Sequence, residues 1–143
     1  MGKQAIIRNI ESFLVRLLLH LIKNQVKKRL TNFWATSISD SIRQIKKLNL
    51  KDNKKSYYIQ QDDWFEYLEE AIAAAILEAS IEVNGGIYTP NQLEEIVDKN
   101  QIIKTASSLI DLTYQHSAKD LLSVVREYLI NLPGGKEWLE RRI

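Results

Sequence analysis

From Gln4 onward the apolar residues recur at helical rather than strand spacing. Ile6, Ile10, Phe13, Leu14, Leu17, Leu18, Leu21, Ile22 and Val26 cover most of the circumference of a 3.6-residue wheel. Asn9, Ser12, Arg16, His20, Lys23 and Lys27 fall in one narrow polar stripe, and the spacings of 4, 3 and 4 from Arg16 to Lys27 keep them neighbours. A helix apolar over so much of its surface is predicted to be central and largely buried. Only its polar stripe and lysine-rich end should meet water. The pattern predicts this helix from about Gln4 to Arg29.

A break follows at Thr31-Asn32, either of which suits a helix N-cap. Trp34, Ile38, Ile42, Ile45 and Leu48 then repeat at 4, 4, 3 and 3, with Arg43, Lys46 and Lys47 off the apolar face. "NLKDNKKS" (49–56) reads as a polar loop and a candidate mobile segment. A third helix is predicted from Gln61-Asp62, where Asp62, Asp63 and Glu66 suit the positive end of the helix dipole. Its buried face should carry Trp64, Phe65, Leu68, Ile72, Ala75, Ile76 and Ala79, while Ala71 and Ala73 to Ala75 would admit a close partner helix. "NGG" (84–86) is a stop. "TPNQ" (89–92) is a start, with Thr89 as cap, Pro90 at the first position and Gln92 able to close a capping box. This short helix should reach about Lys99. Ile102, Ala106, Leu109 and Ile110 predict another helix over 101–114, and Leu121, Leu122, Val125, Tyr128 and Leu129 one capped by Ser117. "LPGG" (132–135) stops it, and "KEWLERRI" is a short terminal helix or a tail. No segment has a strand period. The expectation is a single-domain all-α bundle over 1–143, of about five to seven helices, with the two long N-terminal helices as a hairpin.

Composition agrees with a globular chain: 143 residues, 45% hydrophobic and 27% charged, with only 5 Gly and 2 Pro. The absence of Cys excludes disulfides and thiolate chemistry and is compatible with a reducing, cytoplasmic location. The apolar run Phe13 to Ile22 is broken by Arg16 and His20, and is about half of the roughly 20 residues a spanning helix needs. Neither a transmembrane segment nor a secretory signal is therefore expected. The net charge of +2 hides an asymmetry: residues 1–60 hold 13 Lys+Arg against 3 Asp+Glu, whereas 61–143 hold 7 against 15. Such a split suggests a polyanion-facing half, or halves that attract each other or a neighbouring copy.

"ESFLVRLLLHLIKNQ" (11–25) followed by "NFWATSI" (32–38) resembles domain-of-unknown-function family 29, small bacterial proteins common in cyanobacteria. The matching positions are Glu11, Ser12, Leu14, Leu17, Leu18, His20, Leu21, Lys23 and Gln25, then Trp34, Ser37 and Ile38. "AIAAAILEASIE" and "YTPNQLEEIVD" look like that family's later helix and closing segment. The family's aromatic-rich N-terminal region has no counterpart here, and residues 101–143 would be a C-terminal extension of a family-like core over 1–100. The resemblance implies an all-α bundle and no established activity.

Catalytic signatures are missing: there is no G-x-S-x-G, no glycine-rich phosphate loop and no H-E-x-x-H. The two histidines, His20 and His116, are far apart, so no metal, cofactor or small-molecule substrate is expected, and no enzyme. Asp62, Asp63, Glu66, Glu69 and Glu70 read as solvated helix surface rather than a cation site. His20 either hydrogen-bonds a neighbouring helix from the polar stripe or forms a pH-sensitive anion contact beside Arg16 and Lys23. Trp34 reads as core, or as a stacking platform if exposed beside Lys27 to Arg29. The candidate contacts for an anion, nucleic acid or partner are Arg16, His20, Lys23, Lys27, Lys28, Arg29, Arg43, Lys46 and Lys47, with Lys51, Lys54 and Lys55 in the loop. In a hairpin, the clusters 23–29 and 43–55 should form two patches at opposite ends. Two functions follow as expectations. The first is a non-enzymatic interaction protein that docks a protein partner or itself. The second is a nucleic-acid-binding small subunit of a ribonucleoprotein effector, of the CRISPR small-subunit kind, using the basic half. A peripheral membrane role for the first helix ranks last, because its apolar face is needed by the core.

Overall fold

A computed structural model of the chain describes residues 2–141. These form seven α-helices: α1 (Lys3–Lys27), α2 (Asn32–Asn49), α3 (Trp64–Glu82), α4 (Pro90–Ile96), α5 (Lys99–Gln115), α6 (Ala118–Leu129) and α7 (Gly135–Glu140). Short 3₁₀ turns, Gln61–Asp63 and Val83–Gly86, precede and follow α3. Among the described residues there is no sheet, only one isolated antiparallel bridge between Leu50 and Tyr57.

α1 is the axis. Ile10, Leu14, Leu17, Leu18, Leu21 and Ile22 are all buried, and no single neighbour covers so wide an apolar surface. α2 and α3 therefore pack along it from two sides, and α5 closes a third. α5 also touches α2, α3 and α6, while α6 lies on α2 and α5, and α4 on α3. α1 and α2 form the hairpin that their spacing predicts. The residues after 100 belong to the same core, since Ile102, Ala106, Leu109, Val125 and Trp138 are buried within it.

Local signals explain most boundaries. α1 stops at Lys27 because Lys28 turns left-handed (φ 53°) and donates its N–H to the Asn24 carbonyl at 2.9 Å. The Thr31 hydroxyl, rather than Asn32, accepts from the Trp34 N–H at the start of α2. Thr89 and Gln92 make the reciprocal capping box. The helix begun by that box ends at Ile96, short of Lys99, because Asp98 caps a new helix through the Gln101 N–H. Ser117 caps α6 as expected.

Two clamps fix the ends of the hairpin. At the α1–α2 turn, the buried Asn24 amide donates to the Arg29 carbonyl at 2.9 Å and the Pro133 carbonyl at 2.8 Å. Gly134 (φ 72°) presses so close that a side-chain carbon there would lie 2.5 Å from Arg29 Cα. The Trp138 indole then donates to Asn32 Oδ1 at 2.9 Å. The segment read as a helix or a tail is thus a short helix with a buried indole. At the far end of α2, the Tyr114 hydroxyl donates to the Ile59 carbonyl at 2.6 Å. It accepts from the Asn49 amide at 3.0 Å and the Trp64 indole at 2.6 Å. Asn49 also exchanges two hydrogen bonds with the Ile59 backbone. One phenol thereby joins α2, the 50–60 loop, α3 and α5, and burial pushes its own pKa up.

Removing that oxygen leaves two buried donors without an acceptor. Tyr114→Phe should lower stability by about 1–3 kcal/mol, the usual range for an unsatisfied buried polar group. Urea denaturation followed by circular dichroism checks this. A midpoint equal to the wild type would show that the network contributes nothing.

Candidate functional site

The structure divides the nine basic and histidine candidates by what they touch. The α1 group is largely engaged within the chain. Lys23 pairs with Glu82 at 2.6 Å, and Lys27 donates to Asn84 Oδ1, which ties the end of α1 to the end of α3. The Arg29 guanidinium lies 5.7 Å from the centroid of the Trp34 ring. Trp34 is half-buried at the rim of the core rather than inside it. Arg16 reaches Asp40 at 3.1 Å, and Arg43 reaches the same carboxylate at 2.9 Å. The Arg43 hydrogen bond foremost holds that carboxyl below its usual value. Lys28 is exposed at the left-handed cap.

His20 is a correction. It keeps its angle on the stripe but is only 5% exposed, so it does not meet water. The Phe33 ring sits 5.8 Å from its own, and Nδ1 hydrogen-bonds the Arg16 carbonyl at 2.8 Å. Its pKa is lowered chiefly by burial, with Lys23 and Arg16 adding to the effect and the Arg16 carbonyl and Glu82 opposing it. The expectation that this part of the stripe meets water does not hold for His20.

The second basic group is arranged differently. Arg43, Lys46, Lys47, Lys51 and Lys54 line a cleft of about 590 Å3, together with Asp52, Leu50, Ala118 and Leu121. It lies between the end of α2, the following loop and the start of α6. The Lys46 ammonium donates to the Thr113 carbonyl near the end of α5, and burial lowers its pKa. Among the described residues, no carboxylate lies within ion-pair distance of Lys47, Lys51 or Lys54. Their loop is pinned rather than slack. Asn53 Oδ1 accepts from the Lys55 and Ser56 N–H groups, and Lys51 N–H donates to the Ser56 carbonyl at 2.9 Å. The two basic groups stay at opposite ends of the hairpin, as its geometry requires.

A further surface escaped the sequence reading. Phe65, placed on the buried face of α3, is 56% exposed, and Ala73 and Ala74 also face outward. Leu77 (53%) and Ile81 (69%), one turn apart, lie together on the outer face further along α3, and Ile87 beyond the turn is 67% exposed. Glu66, Glu69, Glu70 and Glu78 share this face. Between residues 56 and 98 the chain has ten carboxylates and no Lys or Arg; Glu82 and Glu94 are paired with Lys23 and Lys99, and no ion pair reaches Glu66, Glu69, Glu70 or Glu78 among the described residues. The missed signal was three outward large apolar positions, Phe65, Leu77 and Ile81, interleaved with glutamates on an alanine-rich helix.

Among the described residues, no three His, Asp or Glu side chains gather as metal ligands, and no single helix is long and apolar enough to cross a membrane. Comparison of the chain with protein-family models, curated proteins and solved structures gives no match.

His20 sets an acid sensitivity whose sign follows from its burial. The unfolded chain takes up a proton near the ordinary value of 6.5 and the folded one only at lower pH. Between those two values the unfolded state holds more protons, so stability falls as the pH falls. Urea midpoints should decline below the ordinary histidine value. His20→Gln, which does not titrate, should flatten that decline. An unchanged pH profile in the variant would remove His20 as its cause.

Proposed function

We propose that the chain is a small non-enzymatic interaction module that docks a protein partner, with the outer face of α3 as its docking surface. One observation carries this reading: Leu77 and Ile81 are more than half exposed on a helix whose opposite face is core. Ala73 and Ala74 beside them leave room for a partner helix to come close. Scattered exposed apolar residues are ordinary, but several on one helix face mark an interaction surface.

Charge narrows the partner. The face carries Glu66, Glu69, Glu70 and Glu78, with no Lys or Arg from 56 to 98. Pairing this face symmetrically with a second copy would set carboxylates against carboxylates. Anionic lipid would be repelled in the same way. An amphipathic helix with an apolar stripe and basic flanks complements both features. The resemblance to the family of unknown function agrees with an all-α module and supplies no competing activity. The nucleic-acid reading draws on a different surface, the α2–α6 cleft.

Photocrosslinking tests the docking face. A benzophenone side chain at position 77, in the living source cell, should give a discrete protein adduct. The adduct should map by mass spectrometry to a Lys/Arg-flanked apolar helix and should fade when Ile81→Glu is added. Adducts to lipid, to a second copy of the chain, or to nothing would overturn the proposal.

A further inference from the structure

We propose that the cleft between α2 and α6 is a binding site for a phosphate-dense polyanion. Five cations, Arg43, Lys46, Lys47, Lys51 and Lys54, surround it against a single carboxylate, Asp52. Arg43 is paired with Asp40, and Lys46 donates to the Thr113 carbonyl. Lys47, Lys51 and Lys54 have no carboxylate partner among the described residues, Lys51 lying 5.5 Å from the Tyr58 ring centroid, so no counter-charge competes with a ligand for them. What sets the cleft apart from the α1 end is enclosure: there Lys23 is paired with Glu82 and Lys28 stands exposed at the helix cap, whereas Lys47, Lys51 and Lys54 line one concavity.

Three features select phosphate over an acidic peptide. The cleft is concave, and at about 590 Å3 it falls in the ordinary range for a bound small ligand or nucleotide. Its free cations are lysines, compact point charges that suit closely spaced phosphates. A docked peptide backbone would find few partners, because the N–H groups of Lys51, Lys54, Lys55 and Ser56 already donate within the loop. The start of the 12-residue α6 at Ala118 also lines the cleft and adds the positive end of its dipole. Leu50 and Ala118, over the buried Leu121, give a small apolar wall on which a base or other flat group can rest. The cleft is independent of the α3 face, so failure of the crosslink at position 77 leaves it standing.

The test is an amide NMR titration of the purified full chain at low salt. The probes are inorganic tripolyphosphate and, separately, a single-stranded dT decamer. Both should shift the amides of residues 46–54 and 118–121 while leaving 23–29 unmoved. Neutralising three lysines together (K47Q, K51Q and K54Q) should abolish the shifts or weaken binding about tenfold. It should also reduce the slope of log affinity against log salt for the decamer by about two, the loss expected for three phosphate contacts on a single strand. The control pair K104Q and K136Q, on exposed lysines elsewhere, should change neither. If the decamer binds more tightly than tripolyphosphate, the ligand is a nucleic-acid strand that uses the apolar wall. Equal affinity indicates a free polyphosphate or a phosphorylated headgroup. Shifts spread equally over 23–29, no shifts, or a triple variant that binds like the wild type would overturn the site. So would movement of the same amides on simple dilution, which would place a second copy in the cleft.

Discussion

A helix with apolar side chains around most of its girth has to be enclosed, and α1 is that helix. Leu14, Leu17, Leu18 and Ile22 are fully buried, although they point in different directions from one axis. Removing that much hydrocarbon from water is the dominant favourable term in folding, and it is roughly proportional to the area hidden. α2, α3 and α5 owe their positions to this requirement. Each presents one apolar stripe inward, and whatever lies on its other side becomes surface. Both candidate surfaces are outer sides of this kind: the far face of α3, and the far end of α2 where α6 crosses.

The same enclosure separates charge that is used from charge that is free. α1 carries basic residues toward its end, and α3 ends beside it, so Lys23 finds Glu82 and Lys27 finds Asn84. At the other end of the hairpin Lys46 meets a helix carbonyl at Thr113, the loop is bonded within itself, and Asp52 is the one carboxylate lining the cleft. The lysines there keep their charge. The basic half thus divides into an α1 end where one lysine is ion-paired and Lys28 and Arg29 stay exposed, and an α2 end where Lys47, Lys51 and Lys54 gather round a cleft.

Much of the fold was legible in the sequence because its signals are local. Spacing placed α1 and α2, and Thr89-Pro90, Ser117 and "NGG" punctuated the rest. What failed depended on partners distant in the chain. His20 occupies its expected angle, but Phe33 arrives from across the turn to cover it. Lys23 looks like a free cation until its counter-charge, 59 residues away, is in place. Phe65 follows Trp64 at the start of α3, where either residue could have faced the core. The structure buries Trp64 because its indole has a hydrogen-bond acceptor in Tyr114. The cleft needed Ala118 and Leu121 brought to the end of α2, which no spacing within residues 43–55 reveals.

The clamp at the α1–α2 turn has a consequence in time as well as space. Leu30 is completely buried, and the groups that seal its turn are Pro133, Gly134 and Trp138. On the ribosome the hairpin emerges ahead of its seal, and roughly a hundred further residues must follow before that seal exists. At about 5–20 residues per second, the turn stays open for several seconds of synthesis. During that interval the α1–α2 hairpin has its own apolar surface exposed and its last hydrogen bonds unmade. A turn synthesised early is therefore closed late, and the nascent hairpin is where premature association or chaperone capture would begin.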